Sequence, residues 1–529
     1  MSPKDKHNQY TSSLRSHVEK TQLHAWEYLT TSAAKPSLKN WLRKNVYAIR
    51  IAINEVRRTA LLRTDKLKKH MNELALVSHG WRSHDMARID EMRKHAASMS
   101  SFSMLKRARL MDKSLTSWQK AKSKNNFDLL KPDLEKLIED VRTEAQIKSS
   151  QFGYDSPYEA LMDMHTPGLK LDLIEKLFDD YIALYPEILQ DITSHKNLLE
   201  DSEVENLKTM SRQERCTFLR DRLHDYDVEE YDFKMSPRDQ KKLMRRILKD
   251  MGFDLSKVRV GITEHSFCGG TTEDIRIGVH LHEDDFLRTI MDFFHEAGHG
   301  TYRLKLPNQW RKYSVGFIPG QGADEGLALF WEYGIGRMPC FAQYLSRIVT
   351  LELKKKYSFA PNVIEKRLKN MSMSSIRAYA DELRYLLDLY VGYRVERELI
   401  EETLNIDDVP ERWSQLMYDV TGIKVDNDND GCLQDIHLPS GYIGYKPSYM
   451  IGRLFEHALI QKLQRSKDLG PKLNTLIRSG NLSEVTDWLE EHICGHGAIR
   501  ATMDLYRDIT GKKPDFSYLK TNVKQRYCS

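Results

Sequence analysis

The chain has 529 residues, of which 40% are hydrophobic and 30% charged, with a net charge of +5 and six scattered cysteines that form no CxxC pair. The hydrophobic share supports a folded core, but no segment approaches the roughly 20 apolar residues of a membrane helix, and the N-terminal residues contain no apolar signal region. These features exclude a membrane protein, and unpaired cysteines are typical of a reducing compartment, so we predict a cytoplasmic protein without a membrane partner.

The first predicted elements are long helices that carry most of the positive charge. Apolar residues recur every three or four positions over residues 46–77, and the pattern resumes from residue 127. Residues 1–124 contain 26 Lys and Arg but 10 Asp and Glu, whereas the remainder has 11 more acidic than basic residues. A basic block can bind nucleic acid, but here the charges are spread at helical intervals without interleaved aromatic residues. We therefore predict a structural role for the block and no nucleic-acid partner.

The spacing of the apolar residues changes in the middle of the chain. Two helices separated by Thr166-Pro167-Gly168 are followed, over residues 257–285, by alternating apolar and polar residues around a Gly-Gly pair. That alternation predicts a small β-element directly before the next helix. Helical patterns return after residue 340, except over residues 425–449, which are too rich in Gly, Pro, Asn and Asp to be helical. The pattern as a whole predicts a mainly α protein with one small sheet.

The helix after the β-element contains His295-Glu296-Ala297-Gly298-His299, an HExxH sequence. Positions i and i+4 lie on one face of a helix, so two imidazoles at this spacing can bind one zinc ion, and the Glu between them can activate a water molecule. Gly298 and Gly300 each cost a helix about 1 kcal/mol relative to Ala. We therefore expect another group to pack closely against them.

A third ligand is predicted at Glu325, 26 residues beyond His299. The intervening segment is rich in Gly and Pro and predicts a loop, after which DEGLALFWEYGIG predicts a helix with Glu325 in its first turn. Glu325 is also explained as an acid that favours a helix start. Glu332, near the same face, is either a residue that orients a ligand histidine or a solvated charge.

Several short motifs in this chain resemble those of the carboxypeptidase Taq family of zinc metallocarboxypeptidases. That family carries HPF, DxRxT, HExxH, HES, IRxxAD and GxxQDxHW in this order. The matching segments here are His265-Ser266-Phe267, Asp274-Ile275-Arg276-Ile277-Gly278, His295–His299, Asp324-Glu325-Gly326, Ile376–Asp381 and Gly431–Leu438. The likeness covers roughly residues 110–529. The departures at Ser266, Gly278, Asp324, Gly326 and Leu438 mark a divergent member and leave the three ligands and Glu296 intact.

The resemblance implies a large helical, single-domain peptidase with a deep substrate groove and the zinc on its floor. We expect residues 1–529 to form one peptidase unit, with the basic half, 1–250, as a wall or lid of the groove and 251–529 as the zinc-binding half. The resemblance also implies a homodimer that acts on peptides and removes single C-terminal residues. We expect one Zn²⁺ per chain, which Co²⁺ can replace. Membership in matching motifs places His265 and Gln434 among the substrate-binding candidates.

Amide hydrolysis assigns further roles. Glu296 is the predicted general base, and the oxyanion needs a hydrogen-bond donor for which His437, Tyr445 and Tyr449 are the candidates. The tyrosines are equally explained as packing anchors of their loop.

A carboxypeptidase must also recognise a terminal carboxylate, and the planar fork of Arg suits that task. Arg377 and Arg276 lie in the two matching motifs that contain Arg. Asp274, Asp381 and Asp435 are predicted to orient an Arg or a His, although an ordinary buried ion pair explains them equally well.

The sequence leaves three functional hypotheses. The first is a zinc carboxypeptidase. The second is a zinc oligoendopeptidase or dipeptidase, because the same ligand set serves both. The third is a degenerate relative that cleaves nothing and binds peptides, or an anionic partner through residues 1–124. Intact His295, Glu296, His299 and Glu325 argue against it.

Overall fold

The computed structural model describes residues 3–32, 53–75, 80–97, 100–227, 232–263, 265–370, 374–377 and 380–528. Backbone contacts divide the chain into two units, each built from three separate stretches. The first unit comprises Met1–Leu105, Tyr231–Leu368 and Phe455–Lys513, and the second comprises Lys106–Glu230, Lys369–Leu454 and Pro514–Ser529. The predicted role of residues 1–250 as a wall or lid stays a prediction.

The first unit combines helices with the small sheet. Its helices include Pro3–Ser32, Asp65–Ala75, Trp81–Ala97, Pro237–Asp250, Phe286–Leu304, Gln321–Leu329, Pro339–Glu352, Leu473–Ser479, Ser483–His492 and Thr502–Thr510. The predicted helix over residues 46–77 lies partly outside the described residues. Its described part is interrupted at Arg63 and Thr64, where the Thr64 hydroxyl accepts a hydrogen bond from the Leu67 amide at 3.3 Å and begins a new helix.

The sheet has three strands, Val258–Ile262, Phe267–Gly270 and Ile275–Val279. The third strand is central: it pairs with the first in parallel and with the second antiparallel. Every residue of this central strand is buried. The predicted β-element is therefore confirmed, and it directly precedes helix Phe286–Leu304, to which the HExxH residues belong.

The second unit is helical in its described residues. Its helices are Lys131–Phe152, Pro157–His165, Leu171–His195, Asp201–Leu207, Arg212–Asp227, Tyr385–Ile400, Val409–Thr421 and Ser517–Tyr527. Helices Ser101–Lys124, Pro361–Lys369 and Lys446–Gln464 contain points at which the chain passes from one unit to the other. The predicted break at Thr166-Pro167-Gly168 is confirmed, and Gly168 adopts a φ of +79° there, which favours glycine.

The prediction of a mainly α fold with one small sheet is confirmed. In the part of the chain that the structure describes, no helix combines the length and apolarity needed to cross a membrane.

Candidate active site

The HExxH helix, Phe286–Leu304, is held in the core of the first unit by its apolar face. Ile290, Phe293, Phe294 and Ala297 are fully buried, and each large side chain contributes about 1.5–3 kcal/mol by leaving water. The Asp285 carboxylate caps the helix by accepting a hydrogen bond from the Arg288 amide at 3.3 Å. The helix therefore presents its two histidines from a rigid element.

Close packing at the motif glycines, predicted from their cost to the helix, is confirmed. A Cβ atom on Gly298 would lie 2.6 Å from Cα of Ala328 and 2.7 Å from the Leu327 carbonyl oxygen. One on Gly300 would lie 3.1 Å from the Phe253 ring. Gly298 thus lets the HExxH helix approach helix Gln321–Leu329 backbone to backbone, which brings Glu325 to the histidines.

Glu325 lies in the second turn of its helix, not in the first as predicted, because the helix begins three residues earlier, at Gln321. Its Oε2 atom is 3.5 Å from Nε2 of His295 and 3.7 Å from Nε2 of His299. Ligand atoms about 2.1 Å from a tetrahedral metal are about 3.4 Å apart, so the spacing fits one ion. Among the described residues, this is the one group of three or more ligand side chains clustered for a metal.

A carboxylate lies behind each histidine. Nδ1 of His295 is 2.8 Å from Oε2 of Glu332, and Nδ1 of His299 is 3.0 Å from Oδ1 of Asp324. Glu332 belongs to a π-helical segment, Phe330–Ile335, that continues the glutamate helix. A π-helical turn changes the direction of the side chains that follow it and is frequent at functional sites.

The carboxylates around His295 and His299 determine whether a cation is favoured at these two rings. Burial lowers the pKa of both histidines, but Glu325 and Glu332 together raise the pKa of His295 well above its usual value, and Asp324 and Glu325 raise that of His299. Carboxylates at this density favour a cation at the imidazoles, either a proton or a metal ion that displaces it.

Glu296 lies beside these ligands and is 6% exposed. Burial raises the pKa of its carboxyl to about 7, although the neighbouring His295 and His299 lower it. A carboxyl with a pKa near neutrality can both accept and return a proton, which suits a general base.

The loop between the two ligand helices is clamped by the basic N-terminal helices. The buried carboxylate of Asp85 accepts a hydrogen bond from the Val315 amide at 2.9 Å and lies 2.7 Å from Nε2 of His7, which is also buried. Arg15 donates to the Gly316 carbonyl at 3.2 Å. The described part of the basic block thus supports the loop that leads to Glu325.

Arg276, a predicted carboxylate-binding residue, is engaged within the first unit. Its Nη1 donates to Glu27 at 2.9 Å and its Nη2 donates to Asp274 at 2.8 Å, and its guanidinium lies 4.9 Å from the Trp26 ring centre. These contacts favour a structural role for Arg276, and they place Asp274 where it was predicted, as the partner of an Arg.

The remaining motif positions of the sheet differ in exposure. His265 is exposed, and its carbonyl accepts a hydrogen bond from the Thr263 hydroxyl at 2.8 Å. At Gly278, a Cβ atom would lie 2.6 Å from the Phe267 ring. The departure from Thr at this position therefore makes room for Phe267.

In the second unit, the predicted residues Arg377, Asp435 and His437 lie together with Lys446 and Glu396, and we call these five residues the charged cluster. Lys446 lies 2.5 Å from a carboxylate oxygen of both Asp435 and Glu396, and all three are buried. Burial raises the pKa of Asp435, but Lys446 and His437 outweigh it and hold the pKa well below its usual value.

His437 in this cluster has the opposite character to the histidines of the first unit. Burial, together with Lys446 and Arg377, lowers its pKa to about 4, although Asp435, 3.3 Å from its Nδ1, acts to raise it. His437 is therefore neutral at pH 7. Its ring centre lies 5.8 Å from that of Tyr445 and 5.9 Å from that of Tyr449.

The prediction that the whole segment 425–449 is non-helical is wrong at its end. Helix Lys446–Gln464 begins there and includes Tyr449 in its first turn. Pro447 is compatible with that position because the first turn of a helix has no backbone partner for the amide that proline lacks.

The backbone amide of Arg377 donates to Oε1 of Gln434 at 2.7 Å, and Nε2 of Gln434 donates to the carbonyls of Ser375 and Asp430. Gln434 thus anchors the segment that carries Arg377. Among the described residues, the buried Nη1 of Arg377 has no hydrogen-bond partner. Ala378 and Tyr379 of the same motif lie outside the described residues.

Asp381 accepts hydrogen bonds from the amides of Leu383 and Arg384 at 3.0 and 2.9 Å. These contacts stabilise the turn directly before helix Tyr385–Ile400, so they explain Asp381 as a residue that supports the local backbone.

Sequence reasoning did not identify Lys446 and Glu396, and it treated Asp324 only as a departure from a motif. Lys446 is 11 residues from Asp435, and Glu396 is on a different helix, so no local spacing connects them. An isolated Lys between two tyrosines was the available signal for Lys446. The position of Asp324 next to a predicted ligand was the signal for Asp324.

The sequence matches the family described as "Carboxypeptidase Taq (M32) metallopeptidase" over residues 43–223 and 219–527. "Carboxypeptidase 1" of Bacillus subtilis is 27% identical over 422 residues, covering 79% of this chain and 77% of that protein. "Thermostable carboxypeptidase 1" of Pyrococcus furiosus is 28% identical over 416 residues, covering 78% and 76%. The solved structure "Trypanosoma Cruzi Metallocarboxypeptidase 1" has the same fold, with a TM-score of 0.85, 23% identity and coverage of 100% and 99%.

Proposed function

This chain belongs to the carboxypeptidase Taq family and is a metallocarboxypeptidase; we propose that it removes single residues from peptide C-termini with one zinc ion held by His295, His299 and Glu325. The observation that carries this proposal is the cluster of three ligand atoms within 4.8 Å of one another, with Glu296 beside it. Two imidazole nitrogens and one carboxylate are the protein ligands typical of catalytic zinc in peptidases.

The proposed mechanism assigns the proton transfers to Glu296. Zinc, when bound, supplies Lewis acidity that polarises the scissile carbonyl and lowers the pKa of water toward ~7. Glu296 accepts a proton from the attacking water at its carboxylate and returns it to the nitrogen of the leaving amine.

We propose that the charged cluster of the second unit provides substrate contacts. Arg377 has an unpartnered Nη1 among the described residues, so it is the stronger candidate for binding the terminal carboxylate than Arg276, whose two terminal nitrogens are occupied. Tyr445 and Tyr449 are the proposed donors to the oxyanion, with His437 as a further candidate. A neutral His437 that donates from Nδ1 to Asp435 would leave Nε2 as an acceptor, which favours the tyrosine hydroxyls.

The proposal is tested by digesting a mixed peptide library with the purified protein and identifying products by mass spectrometry, alongside metal analysis. A carboxypeptidase produces ladders shortened one residue at a time from the C-terminus, and amidation of that terminus suppresses cleavage. Internal cleavage of amidated peptides would instead identify an oligoendopeptidase. Bound zinc without any hydrolysis would identify a non-catalytic peptide-binding relative.

Three finer properties complete the proposal. We propose a homodimer from the family resemblance, which light scattering tests. We propose a cytoplasmic location because all six cysteines are free thiols. We also propose that Co²⁺ occupies the same three ligands, which its visible absorption would report.

A further inference from the structure

The residue before the ligand Glu325 departs from the HES motif of the family, since Asp324 stands where the motif has His. Asp324 is 3% exposed and is held in helix Gln321–Leu329, directly beside the HExxH helix. Its Oδ1 lies 3.0 Å from Nδ1 of His299, on the opposite side of the ring from the nitrogen that faces Glu325. A departure from the motif has therefore placed a carboxylate in contact with a metal ligand.

We infer that Asp324 is a positioning residue of the metal centre: it holds the His299 ring so that Nε2 points at the ion. This inference rests on the proposed function, because it requires that His295, His299 and Glu325 bind the metal. A histidine that binds a metal through one nitrogen donates its other N–H to a carboxylate or carbonyl, which fixes the tautomer and the orientation of the ring.

The other ligand histidine has the same arrangement. Nδ1 of His295 lies 2.8 Å from Glu332, and its Nε2 faces Glu325. The two carboxylates reach their rings from different parts of the same helical segment, one from the turn before Glu325 and one from the π-helical part after it. Glu332 thus holds the His295 ring by a hydrogen bond, and Asp324 lies within ion-pair distance of Nδ1 of His299. The two nitrogens that face Glu325 are left for the metal.

Arg303 compensates the negative charge of the Asp324 carboxylate. Its Nη1 donates to the His299 carbonyl at 2.9 Å and lies 3.5 Å from both carboxylate oxygens of Asp324. A buried carboxylate needs such compensation, because an unpaired charge away from water is strongly unfavourable. Asp324 therefore lies between His299 and Arg303, a cation on the HExxH helix.

The test compares zinc affinity in the wild type, Asp324→Asn and Asp324→Ala, by competition with a chromogenic chelator. Asparagine keeps an oxygen facing Nδ1 but removes the charge, whereas alanine removes both. Loss of such an outer partner typically weakens metal binding 10–100-fold. We expect about 10-fold weaker binding for Asp324→Asn and up to about 100-fold for Asp324→Ala. Glu332→Gln is the matched variant on His295 and should resemble Asp324→Asn.

Three further readouts separate positioning from a general loss of structure. The Co²⁺-substituted variants should show an altered visible spectrum, because the His299 ring is no longer held in one orientation. At saturating zinc, Asp324→Asn should recover most of its kcat with an unchanged KM. Melting of the metal-free proteins should differ little between wild type and Asp324→Asn. If Asp324→Ala does not fold, Asp324→Asn carries the test.

Zinc affinity of both variants within twofold of wild type would overturn the inference while leaving the proposed function intact. A metal-free Asp324→Asn that melts much earlier, with an unchanged cobalt spectrum, would also overturn it, because the role would then be structural. Failure of the wild type itself to bind zinc would overturn the proposed function, and the inference with it.

Discussion

The proposed metal centre of the first unit and the charged cluster of the second both contain histidines that are at least partly buried, but their neighbours differ in charge. Carboxylates surround His295 and His299, whereas His437 has cations as well as a carboxylate beside it. His295 and His299 face Glu325, Glu332 and Asp324, which raise their pKa values. His437 lies near Lys446, Arg377 and Asp435, and its pKa is lowered to about 4, with loss of contact with water as the largest cause. The first arrangement favours a bound cation. The second keeps its imidazole neutral.

This difference shows that burial alone does not determine what a histidine can do. Burial is the largest single influence on all three rings and acts in the same direction on each, lowering the pKa. The charged neighbours then decide the outcome. A peptidase needs both environments, since a carboxypeptidase must hold a metal cation and also recognise a carboxylate.

The largest expected effect concerns Glu296, which lies beside the proposed metal centre. Glu296→Gln keeps the shape of the side chain and removes the base, so kcat should fall by about 10²–10⁴-fold or more while bound zinc stays near one per chain. Steady-state kinetics with metal analysis on the same sample make the measurement. Wild-type turnover in this variant would remove Glu296 from the mechanism.

The second prediction concerns His437 in the charged cluster and the dependence of stability on pH. The unfolded chain protonates His437 near pH 6.5, whereas the folded chain does so only near pH 4, so the unfolded state binds more protons between these values. Stability should therefore fall as pH drops from 6.5 to 4, by about 3 kcal/mol at most from this group. His437→Gln should lose that part of the pH dependence in urea denaturation. Equal pH slopes for the two proteins would contradict the neutral buried state of His437.

The next prediction compares Arg377 in the charged cluster with Arg276 in the first unit. Arg377→Ala should lower kcat/KM on free-acid peptides by roughly 10–150-fold, because a bidentate Arg–carboxylate pair contributes about 1.5–3 kcal/mol. Amidated peptides should already be poor substrates and change little. Arg276→Ala is the control, and it should affect both substrates equally because its contacts are with Asp274 and Glu27. If Arg377→Ala lowered kcat/KM equally on free-acid and amidated peptides, Arg377 would be a structural residue as well.

The smallest expected effect concerns the clamp on the loop between the ligand helices. Asp85→Asn keeps an acceptor for the Val315 amide but removes the charge facing His7, which should weaken the clamp by about 1 kcal/mol. Hydrogen exchange over residues 310–317 should then be about fivefold faster. Peptides from residues 431–446 should exchange as in wild type. Unchanged exchange in the loop would show that the N-terminal helices do not hold it.

Residues close together in the sequence allowed much of the metal centre to be predicted. The i, i+4 spacing of His295 and His299 depends only on helical geometry. The glycines of the motif indicated the close approach between helices that the structure has at Gly298. The alternation over residues 257–285 placed the sheet correctly for the same reason, because period 2 is a local property of a strand.

Long-range pairing was decided by the tertiary structure. The charge on Arg276 says nothing about Glu27, which is 249 residues away, yet that contact occupies one end of its guanidinium. Lys446 meets Asp435 and Glu396 only because a loop and two helices come together. Sequence periodicity determined which face of each element is apolar and where the ligand residues lie. Tertiary packing decided which charges meet, because ion pairs depend on distances in space that local spacing does not specify.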